Sequence, residues 1–114
     1  MRVCLFAGLV LLNACGGAAV PQESLTAAKA SVSGAEVAGA SATPDAALHL
    51  QRAKEQIAKA EALIKDGDNE EAASMIDRAA ADADLSLSLA KEAKAKAEAQ
   101  ETKEHLMRLK KTTQ

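Results

Sequence analysis

PDAALHLQRAKEQIAKAEALIKDGDNEEA, residues 44–72, holds one helix, its stop signal and the start of another. Leu50, Ala53, Ile57, Ala60 and Ile64 are spaced 3, 4, 3 and 4 residues apart, the interval of a coiled-coil seam. Leu48 and Leu63 widen that stripe. Thr43 stands where an N-cap belongs, Pro44 at the first helical position and Asp45 in the first turn. Gly67 suits the left-handed residue that follows a helix end. Asp68 then offers a cap for the next helix, and Glu71, three residues on, completes a capping-box pattern. A stop and a start this close predict an antiparallel hairpin of helices 44–65 and 68–111.

Working outward, the second member of the hairpin continues without proline or glycine to Lys111. At 1.5 Å per residue it reaches about 60 Å, against about 33 Å for its partner. Ala72, Met75, Ile76, Ala79, Ala83, Leu87 and Ala90 form its expected inward face. Beyond Ala90 its apolar content falls to alanines until Leu106, Met107 and Leu109. That overhang reads either as a solvated helix supported by i, i+4 pairs such as Glu92–Lys96, or as a contact stripe for another protein or another copy. Upstream, Ser24 can cap a helix over 24–38 whose face is Leu25, Ala28, Val32 and Ala35, with Gly34 interrupting it at a cost of about 1 kcal/mol relative to alanine. Residues 39–43 break the pattern, and 112–114 form a tail. The expected fold is all-α: an antiparallel helical hairpin or small three-helix bundle with a long, coiled-coil-like C-terminal helix.

The N-terminus carries an address. Arg2 precedes an apolar run from Val3 to Leu12, too short for the roughly 20 residues that a membrane span needs but suited to an export signal. Leu12-Asn13-Ala14-Cys15 resembles the bacterial lipobox, an aliphatic residue, a variable one and a small one before cysteine. The resemblance implies cleavage after residue 14, a diacylglycerol on the Cys15 thiol and an acylated (typically palmitoylated) amine. Two acyl chains already anchor a protein stably. Residues 15–23, small and broken by Pro21, are then a tether between the anchor and the helical domain 24–111. An ordinary signal cut near Gly17-x-Ala19, releasing a soluble chain, is the alternative. Gly16 after the cysteine, rather than aspartate, favours the outer membrane facing the periplasm by analogy with enteric bacteria.

Composition narrows the chemistry. Phe6 is the sole aromatic residue and belongs to the signal. Without aromatics the mature chain lacks base-stacking or sugar-stacking platforms, so neither nucleic acid nor a small-molecule substrate is expected. Alanine supplies 26 of residues 15–114, and with Lys, Glu, Leu and Gln it makes a strongly helix-forming sequence. Residues 15–90 carry 6 basic and 12 acidic side chains (−6), whereas 91–114 carry 7 basic and 4 acidic (+3). Cations near a helix C-terminus suit the macrodipole; a contact with an acidic partner or anionic surface is the sharper reading.

No catalytic constellation is visible and no cofactor is expected. His49 and His105 have no neighbour at metal-ligand spacing and read as surface residues. Asp66, Asp68, Glu70 and Glu71 cluster at the hairpin turn but lack the regular oxygen spacing of a calcium loop, so capping accounts for them better. The serines among residues 85–89 have no adjacent base.

Several short patterns follow the lipobox in a fixed order: Leu25 to Ala28, Ala38-Gly39-Ala40, Pro44 with Leu48 and Ala53, Ile57 with Ala60-Glu61, Gly67-Asp68 with Glu71-Ala72, then Ala79, Ala83-Asp84 and Leu89-Ala90. In this order they resemble the small, alanine-rich bacterial lipoproteins grouped as domain of unknown function 4398. The resemblance implies an envelope lipoprotein with a helical bundle and implies no activity. The expected role is structural or scaffolding, held to the membrane by the lipid, with self-association through the long helix or an envelope protein held at Leu106, Met107 and Leu109. The alternative is an accessory binding module for an envelope enzyme or secretion complex.

Overall fold

The computed structural model describes residues 17–113. Three α-helices follow one another: α1 (Gln22–Val37), α2 (Pro44–Asp66) and α3 (Asn69–Thr112), with a single 3-10 turn at Ala40–Ala42 between the first two. The described residues contain no strand, and no helix among them is long and apolar enough to cross a membrane.

The hairpin forms as its glycine dictates. Gly67 adopts φ +85°, a conformation that residues with a Cβ avoid. From there its N–H reaches the Ile64 carbonyl at 3.1 Å and the Asp68 N–H reaches Leu63 at 2.9 Å. These two bonds close α2 as a Schellman motif. The Asp68 backbone serves both helices, its N–H closing α2 and its carbonyl accepting from the Ala72 N–H at 2.9 Å, while its carboxylate makes no cap bond to α3. Thr43 has the extended backbone of an N-cap, yet its hydroxyl makes no cap bond either. The expected side-chain caps at both positions are thus corrected.

The start of α1 is also earlier than expected. Pro21 takes the N-cap position and its carbonyl accepts from the Leu25 N–H at 3.0 Å, which leaves Ser24 inside the helix. Proline has no N–H to lose at a helix start, where that donor is unpaired in any case. Gln22 and Glu23, expected to precede the helix, belong to α1 as a result. Gly39, at φ +84°, ends the segment and turns the chain toward α2.

Packing follows the small-residue stripes. Leu25, Ala28, Val32 and Ala35 of α1 are buried, as are Ala46, Leu50, Ala53, Ile57 and Ala60 of α2, and Ala72, Ile76, Ala79, Ala83, Ser86 and Ala90 of α3. Helix α3 is the common wall: α2 packs along it and α1 packs on it more extensively than on α2. Lys29 pairs with Glu61 and Lys54 with Glu36, so α1 and α2 run antiparallel. Alanine at the contacts lets helices approach at the close end of the usual 8–10 Å spacing. Dispersion between backbones then replaces part of the missing bulk. At its other end α3 outruns everything else. Ala90 is its last buried residue, and from Lys94 to Thr113 every residue is exposed.

Candidate functional site

Two features rise above the packing: a polar clasp between α2 and α3, and the free C-terminal arm of α3. The clasp centres on Asp82. Its Oδ1 lies 2.7 Å from His49 Nδ1, and its Oδ2 accepts from Gln56 Nε2 at 2.9 Å. The two side chains are largely covered, at 21% exposure for His49 and 19% for Asp82. His49 is therefore an interhelical residue, which corrects its reading as a surface histidine. One turn farther along α3, Ser86 is fully buried and its hydroxyl donates to the Ala46 carbonyl at 2.7 Å. Together these bonds fix the register of α2 against α3.

Burial pushes the Asp82 carboxyl upward, but the hydrogen bonds from His49 and Gln56 and the nearby charges of His49 and Arg52 outweigh it. The net effect holds its pKa below the ordinary 3.8. A carboxyl held low in the folded state adds stability that is present above its unfolded pKa and is lost as the pH falls through the folded one. The wild-type chain should thus lose stability to denaturant between about pH 5 and pH 2, and Asp82→Asn should lose less over that window. Urea titrations at stepped pH read the difference; equal slopes for both proteins would show that the clasp carries no linkage.

The bonds of the clasp join α2 to α3. Asp82 and His49 are engaged with each other, and the hydroxyl of Ser86 faces a backbone carbonyl, so no nucleophile is exposed there. Among the described residues no group of three or more His, Cys, Asp or Glu could hold a metal ion. At the hairpin turn Asp66, Asp68, Glu70 and Glu71 are all exposed. Beside them Asn69 donates to the Ala18 carbonyl at 2.9 Å, which ties the start of the described chain to the turn.

The arm presents Leu106, Met107 and Leu109 at 54%, 47% and 49% exposure. The helix does not bring all three together. Leu106 and Leu109 share a face, whereas Met107 is turned about 100° from Leu106 and about 160° from Leu109. Ion pairs decorate the arm at Lys96–Glu92 and Lys94–Glu98. Leu12, Asn13, Ala14 and Cys15 lie outside the described residues.

Ser86 was legible in principle, because it continues the row Ala79, Ala83, Ser86, Ala90 at spacings 4, 3 and 4. Pairing His49 with Asp82 was not, since nothing local relates residues 33 apart.

The family described as Domain of unknown function (DUF4398) matches residues 23–102. The chain belongs to that family. The DUF4398 region begins beside Gln22, the first residue of α1, and runs through the whole bundle into the arm, ending before Leu106. Comparisons with curated proteins and with solved structures give no match.

Proposed function

We propose that the chain is a lipid-anchored protein of the bacterial envelope with a non-catalytic, structural or scaffolding role. The observation that carries this reading is Leu12-Asn13-Ala14-Cys15 at the end of a short apolar run. The fold supports it. Ala18 is held against Asn69 at the hairpin turn, and three residues span no more than about 10 Å. An anchor at Cys15 therefore keeps the turn end of the bundle close to the bilayer. Helix α3 starts at that end, and its 44 residues carry the C-terminus about 66 Å along the helix axis. The anchored chain is a bracket: lipid at one end, bundle in the middle, a bare helix at the other. In a two-membrane envelope the outer membrane, facing the periplasm, is its place.

The half-exposed Leu106 and Leu109 favour a second reading, an accessory module that holds an envelope enzyme or secretion complex. Replacing both by Glu would then release a partner without loss of helicity.

Anchoring is tested by feeding cells a palmitate analogue. The wild-type chain should take the label and sediment with membranes, and Cys15→Ala should lose both. Label retained by Cys15→Ala would sink the anchor and, with it, the bracket.

A further inference from the structure

The arm carries a second seam that the bundle does not use. Ala95, Ala99, Thr102, Leu106 and Leu109 are spaced 4, 3, 4 and 3 residues apart, and all are exposed. At 100° per residue this row is turned roughly 150° from the core row Ala79, Ala83, Ser86 and Ala90. It thus faces away from the side on which α2 ends, and a helix can lie along it without meeting the bundle. Small residues at its start permit close approach, and the two leucines anchor its end.

Charge decides what fits. Lys96, Lys103 and Lys110 each lie next to a seam residue and recur every seven positions, so they line one flank. Lys96 is paired with Glu92, while Lys103 and Lys110 make no ion pair among the described residues. The opposite flank is Lys91, Glu98 and His105, with Glu98 beside Lys94. In a two-helix seam these flanks choose the partner and its direction. A parallel second copy would place Lys91 against Lys96 and His105 against Lys110, leaving a single favourable pair, Glu98 with Lys103. An antiparallel copy is worse, since the lysine flank would meet itself. Like charges held face to face select against such pairings.

We infer that the outer seam of the arm docks an acidic amphipathic helix of another protein, with Leu106 and Leu109 in its apolar groove and Lys103 and Lys110 against its carboxylates. This rests on the reading of the chain as a holder of partners and names the chemistry of what is held. The seam spans two heptads, so affinity is modest and depends strongly on salt.

The test uses the full chain and two labelled synthetic helices, both with leucine at the seam positions. One has glutamate on both flanks and the other lysine. Fluorescence anisotropy should show the acidic helix binding and the lysine helix binding at least about tenfold more weakly. Leu106→Glu should weaken the acidic helix by about tenfold or more. The double change Lys103→Glu with Lys110→Glu should reverse the preference, with helicity unchanged in both variants. Three results overturn the inference: no binding of the acidic helix, equal binding of both helices, or sedimentation of the chain as a dimer that Leu106→Glu dissociates. The titration does not involve Cys15, so it can fail while the anchor stands, or succeed where the anchor fails.

Discussion

Ile76→Ala is expected to cost about 2–5 kcal/mol, the usual range for truncating a buried isoleucine. Ile76 is 1% exposed and is the largest fully buried side chain among the described residues. Domains of this size are stable by only about 5–15 kcal/mol, so the variant should be substantially unfolded or melt far below the wild type. The size of the effect follows from the composition. Where alanine fills most contact positions, each large side chain carries an unusual share of the apolar burial. Leu106→Ala removes a similar number of atoms from a half-exposed site on the arm and should change stability by no more than about 0.5 kcal/mol. Urea unfolding followed by circular dichroism compares the two directly. Equal shifts would mean that the arm is packed against something and that the bundle does not end at Ala90.

The opposite kind of change should be nearly as damaging. Ala83 is completely buried on the face of α3 that carries the core, and leucine matches alanine closely in helix propensity. Ala83→Leu therefore isolates packing. Forcing three extra carbons into a close helix contact costs about 1–3 kcal/mol. Ala97→Leu is the matched control, because position 97 lies on the same helical row past the end of α2 and is exposed. It should be close to neutral. If Ala83→Leu were neutral as well, the helices would have slack between them, and close approach would not be what compensates for the small core.

These two changes separate the parts of the molecule by what their sequences can tolerate. In the bundle, alanine is a size requirement and isoleucine a volume requirement. In the arm, alanine supplies helix propensity and leaves a surface for contact. The same residue type thus serves stability before Ala90 and display after it. The polarity of charge follows that division, with acids on the bundle and at the hairpin turn and lysines on the arm.

Much of this architecture follows from the sequence without the structure. Gly67 between two helical periods demands a hairpin, and the 3, 4, 3, 4 spacing from Leu50 to Ile64 marks the face that is buried. Such signals are local: a helix is built from bonds four residues apart, and a left-handed turn concerns one glycine. Side-chain caps failed at Ser24, Thr43 and Asp68 because a cap depends on the neighbouring backbone. At Asp68 that backbone had already been drawn into the closure of α2. The arm could be read as an overhang from helix lengths alone. The division of Leu106 and Leu109 from Met107 needed only the helical angle. Tertiary structure alone decided the rest. It placed α1 chiefly on α3, brought His49 and Gln56 of α2 onto Asp82, and buried the Ser86 hydroxyl against Ala46. Alanine faces pack almost equally well at neighbouring registers, so their apolar pattern specifies that helices meet but not where. The register is set by a few polar bonds between residues far apart in the chain, and no local pattern encodes those.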